Sequence, residues 1–264
     1  MRLDKYLAES WVGQRKQVRG MLREQRVSVN HQIVDDATYE IDETKDLVEF
    51  DGKKVIHPGK RYIMFDKPVG CITARKDDRH KTVLDYFKEE ERAGLFPVGR
   101  LDKDTEGLLL LTNDGAFDYL LMNPTNHVEK TYYFWALGAI SEEQKDTLER
   151  GISINDTGEL TKPAKLVIDQ VGFYDEFSSL IDGAEVCLER TKLGKEQFRK
   201  PVVSGTLTIT EGKKHQVRRM LRAVGCFVIS LKRISIGELS LDTRLSPGEY
   251  RSLTKEELEL LHYQ

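Results

Sequence analysis

GRLDKDTEGLLLLTNDG, residues 99–115, is the stretch that decides the fold. Four consecutive leucines, 108–111, read as a buried strand, and Thr112-Asn113-Asp114-Gly115 turns the chain after it. A glycine-flanked, charged loop leads into that strand, so its carboxylates sit beside a strongly apolar segment. There, partial desolvation tunes the reactivity of a carboxylate. Three readings compete. Asp102 and Asp104 are turn residues, with Thr105 and Glu106 shaping the backbone. Alternatively, Asp102, Asp104, Glu106 and Gly107 occupy positions 1, 3, 5 and 6 of a calcium loop, although position 12 is then Asn113 and leucines follow where a helix belongs. In the third reading, one carboxylate is a nucleophile or an acid–base group.

Downstream, residues 204–210 alternate like a strand, with Thr206, Thr208 and Thr210 on one face and Leu207 and Ile209 on the other. EGKKHQVRRML, residues 211–221, follows. From Lys213 the spacing predicts a helix. Val217, Met220, Leu221 and Val224 form its apolar stripe; His215, Arg218, Arg219 and Arg222 form a cationic one; Gly225 ends it. No acidic residue lies between Lys213 and Arg222, so the cations point to an anionic substrate or an internal carboxylate. Between the two segments, KTYYFW (130–135) has the β-branched and aromatic content of a strand.

Upstream, residues 1–34 carry seven basic and three acidic side chains, and residues 35–52 carry eight acidic and one basic. A +4 head is thus cancelled by a −7 strip, and the chain total of −3 hides both. Leu3, Tyr6 and Leu7, then Val18, Met21 and Leu22, repeat at helical spacing. Arg15, Arg19, Arg23 and Arg26 share another face of the second helix. Residues 27–31 read as a short strand entering a turn. The head is a helix–helix–strand module with an arginine face, and the acidic strip is expected to turn away from whatever that face binds. Residues 57–60, His-Pro-Gly-Lys, punctuate the chain as a linker. Beyond it, strand-like and helix-like segments alternate over the remaining ~200 residues, as in one larger mixed domain.

The chain has 264 residues, 39% hydrophobic and 32% charged, enough to build two domains. No apolar run approaches the ~18 residues of a membrane span. The N-terminus has no signal-peptide core. Cys71, Cys187 and Cys226 form no paired spacing, which fits a reducing cytoplasm.

Together these segments resemble the RNA pseudouridine synthases of the RsuA type, which modify ribosomal RNA. The resemblance covers nearly the whole chain. It implies an α+β architecture: an α-L RNA-binding module at residues 1–56, then a larger mixed-sheet catalytic domain at residues 60–264. It places the catalytic aspartate at Asp102, the tyrosine that contacts the target base at Tyr132 in Lys130-Thr131-Tyr132, and the arginine that pairs with the aspartate at Arg218 in EGKKHQVRRM. Residues 61–70 resemble the strand and Lys-Pro-x-Gly loop that open the catalytic domain. Residues 160–164, LTKPA, look more like the small-subunit rRNA enzymes than their large-subunit relatives. Asp66 departs from the family's usual Asn, Gln14 replaces a common helix-capping Ser, His31 replaces the Gly usual after Val-x-Asn, and residues 178–203 look longer and more charged.

The implied activity converts one uridine of ribosomal RNA, from the 16S molecule, to pseudouridine, with no cofactor or metal. The base must be flipped out of its stack to react. Arg218 holds Asp102 ionised, Tyr132 stacks on the uracil, and Arg100, Lys213, Lys214, Arg219 and Arg222 reach phosphates. Arg2, Arg15, Lys16, Arg19, Arg23 and Arg26 bind folded rRNA through the module. The expected partner is ribosomal RNA or a pre-ribosomal small-subunit particle, met by a cytoplasmic monomer with no membrane attachment. A non-catalytic rRNA-binding assembly factor using the same surfaces is the alternative.

Overall fold

The computed structural model describes residues 1–10, 12–92, 94–155, 158–181 and 201–263. Cys187 and most of the 178–203 stretch lie outside the described residues.

At the N-terminus, α1 (Leu3–Glu9) and α2 (Arg15–Arg23) form where the apolar spacing predicts. Leu3, Tyr6, Leu7, Val18 and Leu22 are buried together with Val27, Val29, Ile41, Val48 and Val55 in one apolar cluster. With Gln14 in place of a capping Ser, the start of α2 is satisfied from the other side: the Gln17 side-chain oxygen accepts the Gln14 N–H at 2.9 Å. Four short antiparallel strands cover the helices: β1 (Val27–Val29), β2 (Gln32–Ile33), β3 (Val48–Phe50) and β4 (Lys53–Lys54), in the order β2-β1-β3-β4. Residues 56–60 carry no helix or strand. They are tied at both ends. The His57 ring stacks on Tyr6 and lies 3.0 Å from the Glu9 carboxylate. The Asn113 side chain donates to the Gly59 carbonyl and accepts the Arg61 N–H, each at 2.8 Å.

The rest of the described chain is built on a nine-stranded mixed sheet. Its strands are β5 (Tyr62–Lys67), β6 (Phe96–Val98), β7 (Glu106–Thr112), β8 (Lys130–Leu137), β9 (Lys165–Phe173), β10 (Pro201–Ile209), β11 (Phe227–Ile236), β12 (Leu239–Ser240) and β13 (Tyr250–Ser252). The main order is β13-β5-β7-β11-β8-β10-β9, with β6 paired to β7 and β12 to β11. The β7–β11 pairing is parallel and every other is antiparallel.

The leucine run explains why β7 lies inside this sheet. Strand side chains alternate between faces, and here both faces are covered. Leu109 and Leu111 join Phe65, Phe134, Leu207, Met220 and Leu221 on one side; Leu108 and Leu110 join Met64, Phe117, Leu121 and Ile236 on the other. Gly107 (φ +99°) starts the run where β7 crosses β11. A Cβ there would stand 2.3 Å from the Arg233 carbonyl oxygen, so no other residue fits.

The helices are α3 (Gly115–Met122), α4 (Glu142–Arg150), the single turn α5 (Tyr174–Phe177), α6 (Gln216–Ala223) and α7 (Lys255–Leu260). The basic helix, α6, begins at Gln216 rather than Lys213, because His215 is left-handed (φ 53°) and the Gln216 side chain accepts the Lys213 N–H to close a turn. Gly225 (φ +82°) ends it as the spacing requires. Thr254 and Glu257 cap α7 reciprocally. Leu261 is buried beyond that helix, while Leu260 is exposed. Cys71 and Cys226 are free and buried.

Candidate active site

The loop between β6 and β7 is short and polar, and its backbone is held from outside. Five consecutive carbonyls each accept a hydrogen bond. The Thr73 hydroxyl donates to Leu101 O (2.7 Å) and accepts the Leu101 N–H (3.1 Å). Lys67 Nζ donates to Asp102 O (3.0 Å) and Thr105 O (2.8 Å), and to Pro68 O (3.1 Å). Gly70 N–H donates to Lys103 O at 2.7 Å. Arg218 Nη2 donates to Asp104 O at 2.7 Å. Lys67 is fully buried, and burial pushes its ammonium below the usual lysine range. Three carbonyl dipoles take the place of its water.

Thus fixed, the loop presents Asp102 to a cleft of about 490 Å³, within the range of roughly 300–1,000 Å³ that suits a small-molecule-sized group. Tyr132, Ile209, Val217 and Leu231 give the cleft an apolar side; Arg100, Lys213, Lys214, His215 and Arg218 give it a cationic one. Tyr132 is only 9% exposed, and on β8 it stands opposite Leu207 of β10 and Arg233 of β11. Asp102, Tyr132 and Arg218, far apart in sequence, therefore meet at one cleft, joined by Arg100, Lys213 and Lys214.

The pairing inside the cleft differs from the sequence expectation. His215 faces the Asp102 carboxylate, its Nε2 3.5 Å from Oδ1. Arg218 instead lies 3.7 Å from the Asp104 carboxylate and donates to the carbonyls of Asp104 and Val228. The cause is local. The left-handed His215 turns its ring back towards the loop, while Arg218, on the first turn of α6, reaches the loop's far end. Arg218 Nε and Thr105 Oγ1 are buried with no hydrogen-bond partner among the described residues.

The other cations divide. Lys213 pairs with Glu159 at 2.8 Å, an acid remote in sequence, and approaches its near neighbour Glu211 at 3.9 Å, so acids outside residues 213–222 supply what that stretch lacks. Lys214 is exposed and has no ion pair among the described residues. Arg219 and Arg222 do not line the cleft. On the N-terminal module, Arg2, Arg15 and Arg19 gather around Asp4, and Lys16 and Arg23 are exposed. Arg26 is bonded to Asp51 at 2.6 Å and lies over the Phe50 ring, so the acidic strip reaches the edge of the arginine face. Among the described residues no group of acidic, His or Cys side chains is arranged to hold a metal ion. Asp104, the third position of the calcium reading, instead lies 3.7 Å from Arg218.

Lys67, Thr73 and His215 hold or face the loop without having been assigned that work by the sequence. Lys67 left a trace, as a lysine closing the apolar run YIMFDK; Thr73 left none. Asp66, beside it, is also buried. Burial pushes its carboxyl up, with Lys232 3.3 Å away opposing the shift.

Residues 61–223 match the family described as RNA pseudouridylate synthase, and residues 1–48 match the S4 domain. An RNA pseudouridine synthase of Bacillus subtilis is 41% identical, aligned over 99% of this chain and 98% of that one. The ribosomal small subunit pseudouridine synthase A of Escherichia coli is 35% identical over 98% of each chain. A crystal structure of a pseudouridylate synthase superposes with a TM-score of 0.63 at 32% identity, covering 99% of both chains.

Proposed function

This chain belongs to the RNA pseudouridylate synthase family, and from that premise we propose that it isomerises one uridine of small-subunit ribosomal RNA, with Asp102 acting at the ribose of the flipped nucleotide. The observation that carries the reading is the cleft shared by Asp102, Tyr132 and Arg218. The target class is supported by the relatives from Escherichia coli and Vibrio cholerae, both named ribosomal small subunit pseudouridine synthase A.

The reaction is an isomerisation. The N1–C1′ bond breaks, the uracil turns, a C1′–C5 bond forms, and the C5 proton leaves as N1 gains one. A duplex or a stacked loop hides C1′, so the nucleotide must enter the cleft unstacked. Tyr132 and the neighbouring aliphatic side chains receive the flat base, an apolar contact any uracil satisfies. Asp102 faces the sugar. Arg218 and Lys67 keep its loop rigid, so the carboxylate is aimed before substrate arrives. His215 lies 3.5 Å from the Asp102 carboxylate and Arg218 3.7 Å from that of Asp104, so each aspartate of the loop faces a basic side chain. Arg100 and Lys214 at the rim take flanking phosphates.

We divide the work at the linker, with residues 1–56 gripping folded rRNA and residues 60–264 carrying the chemistry. The protein is read as a cytoplasmic monomer acting on rRNA or a pre-ribosomal small-subunit particle. No helix among the described residues is long and apolar enough to cross a membrane.

Carbodiimide-blocked primer extension on 16S rRNA from cells lacking this protein tests the reading. One stop present in wild-type rRNA is expected to vanish, and to return on expression of the wild type but not of Asp102→Asn. An unchanged set of stops removes the small-subunit target.

A further inference from the structure

The N-terminal module contains a charge arrangement that its RNA-binding role alone does not require. Asp4, on the first turn of α1, is completely buried. Three guanidiniums converge on it from two elements. Arg2, just before α1, makes a two-pronged contact, Nε to Oδ1 at 3.2 Å and Nη2 to Oδ2 at 3.1 Å. Arg19 Nη2 donates to Oδ2 at 3.3 Å, and Arg15 Nη2 lies 3.7 Å from Oδ1. The three arginine side chains keep 43%, 53% and 54% of their surface exposed in the order Arg2, Arg19, Arg15. Each guanidinium has five N–H donors, and the contacts to Asp4 occupy at most two of them on any one arginine. Three half-exposed guanidiniums around one carboxylate make a patch of net charge +2 with donors to spare.

Three like charges a few ångströms apart repel, and an unanchored arginine also samples many rotamers. A buried carboxylate between them cancels part of the repulsion, fixes the fork of Arg2 and tethers one Nη2 each of Arg19 and Arg15. We propose that Asp4 is a positioning residue of the RNA-binding face, holding Arg2, Arg15 and Arg19 as one preformed cradle for consecutive backbone phosphates of a folded RNA turn. The proposal rests on the reading of this module as the rRNA-gripping unit.

It makes a prediction opposite in sign to net charge. Asp4→Asn raises the module's charge by one, which on long-range electrostatics tightens RNA binding. As the anchor of the cradle, its loss weakens binding, because the arginines must then be ordered at the moment of contact.

The test uses the full-length protein and a fluorescently labelled 16S rRNA transcript, with affinity followed across a salt series. Arg15→Ala/Arg19→Ala is expected to lose affinity and reduce the salt dependence by about two counterions. Unchanged binding of that variant overturns the reading of the face itself. Given that loss, Asp4→Asn is expected to weaken binding roughly tenfold near physiological salt, with a shallower salt slope. In turnover it raises KM and keeps kcat at saturating RNA. Equal or tighter binding by Asp4→Asn overturns the cradle while leaving the RNA-binding face intact. Should circular dichroism show that Asp4→Asn does not fold, Arg15→Lys/Arg19→Lys carries the decision. It keeps the charge and removes the fork, so weaker binding supports the cradle and wild-type binding overturns it.

Discussion

The ammonium of Lys67 lies 3.0 Å from the backbone carbonyl of Asp102, the residue whose side chain faces the cleft. A fully buried cation thus controls the proposed catalytic carboxylate from behind, through main chain. Replacing Lys67 by Met keeps the volume and the apolar stem but leaves the carbonyls of Asp102 and Thr105 without that donor. An unsatisfied buried group costs roughly 1–3 kcal/mol. Lys67→Met is therefore expected to lower the melting temperature and cut kcat by at least about tenfold, since misaiming a reacting group by about 1 Å costs on the order of a hundredfold. RNA affinity should stay near wild type. Thermal melts, single-turnover rates and filter binding on one preparation check all three.

Lys213 and Lys214 are neighbours with different commitments. Lys213 is paired with Glu159, while Lys214 stands at the cleft rim with no ion pair among the described residues. Lys214→Ala is expected to weaken rRNA binding and to flatten the plot of log affinity against log salt by about one unit. Lys213→Ala should do so by less than half as much. Equal slopes for the two variants would show that the Glu159 pair opens on binding.

The buried Lys130 gives a pH signature. Burial, aided by the nearby Arg233, pushes its ammonium down to about 8 from 10.5. The folded chain releases that proton near pH 8, while the unfolded chain keeps it to about pH 10.5, so in this window the unfolded state binds more protons and stability rises with pH. Below the window the cost of the buried charge is fully present, on the order of 3 kcal/mol for such a shift. Lys130→Met is expected to melt higher than wild type at pH 7, with the gap closing as pH approaches 10. A gap independent of pH would mean that packing, not charge, sets it.

Periodicity and local chemistry made the scaffold legible. The leucines at 108–111 could be buried only in a strand covered on both faces, and the stripe Val217, Met220, Leu221 required a helix docked by one side. The cleft residues were legible through their motifs. What stayed hidden is tertiary. His215 looked like part of a helical cation stripe, but a left-handed backbone makes it a cap turned towards Asp102. Arg218 was expected on Asp102 and contacts Asp104, two residues along the same loop, a distinction spacing cannot carry. Asp4 lies on a different helix from Arg15 and Arg19, and sequence distance conceals that the three share one ion cluster.

The central claim is that the Asp102 carboxylate performs the chemistry in a cleft whose RNA grip lies elsewhere. Release of tritium from rRNA carrying 5-tritiated uridine measures it directly, because forming the C1′–C5 bond expels the C5 hydrogen. For Asp102→Asn the account predicts no release above background, with rRNA binding close to wild type. Release at the wild-type rate would contradict it and remove Asp102 from the reaction.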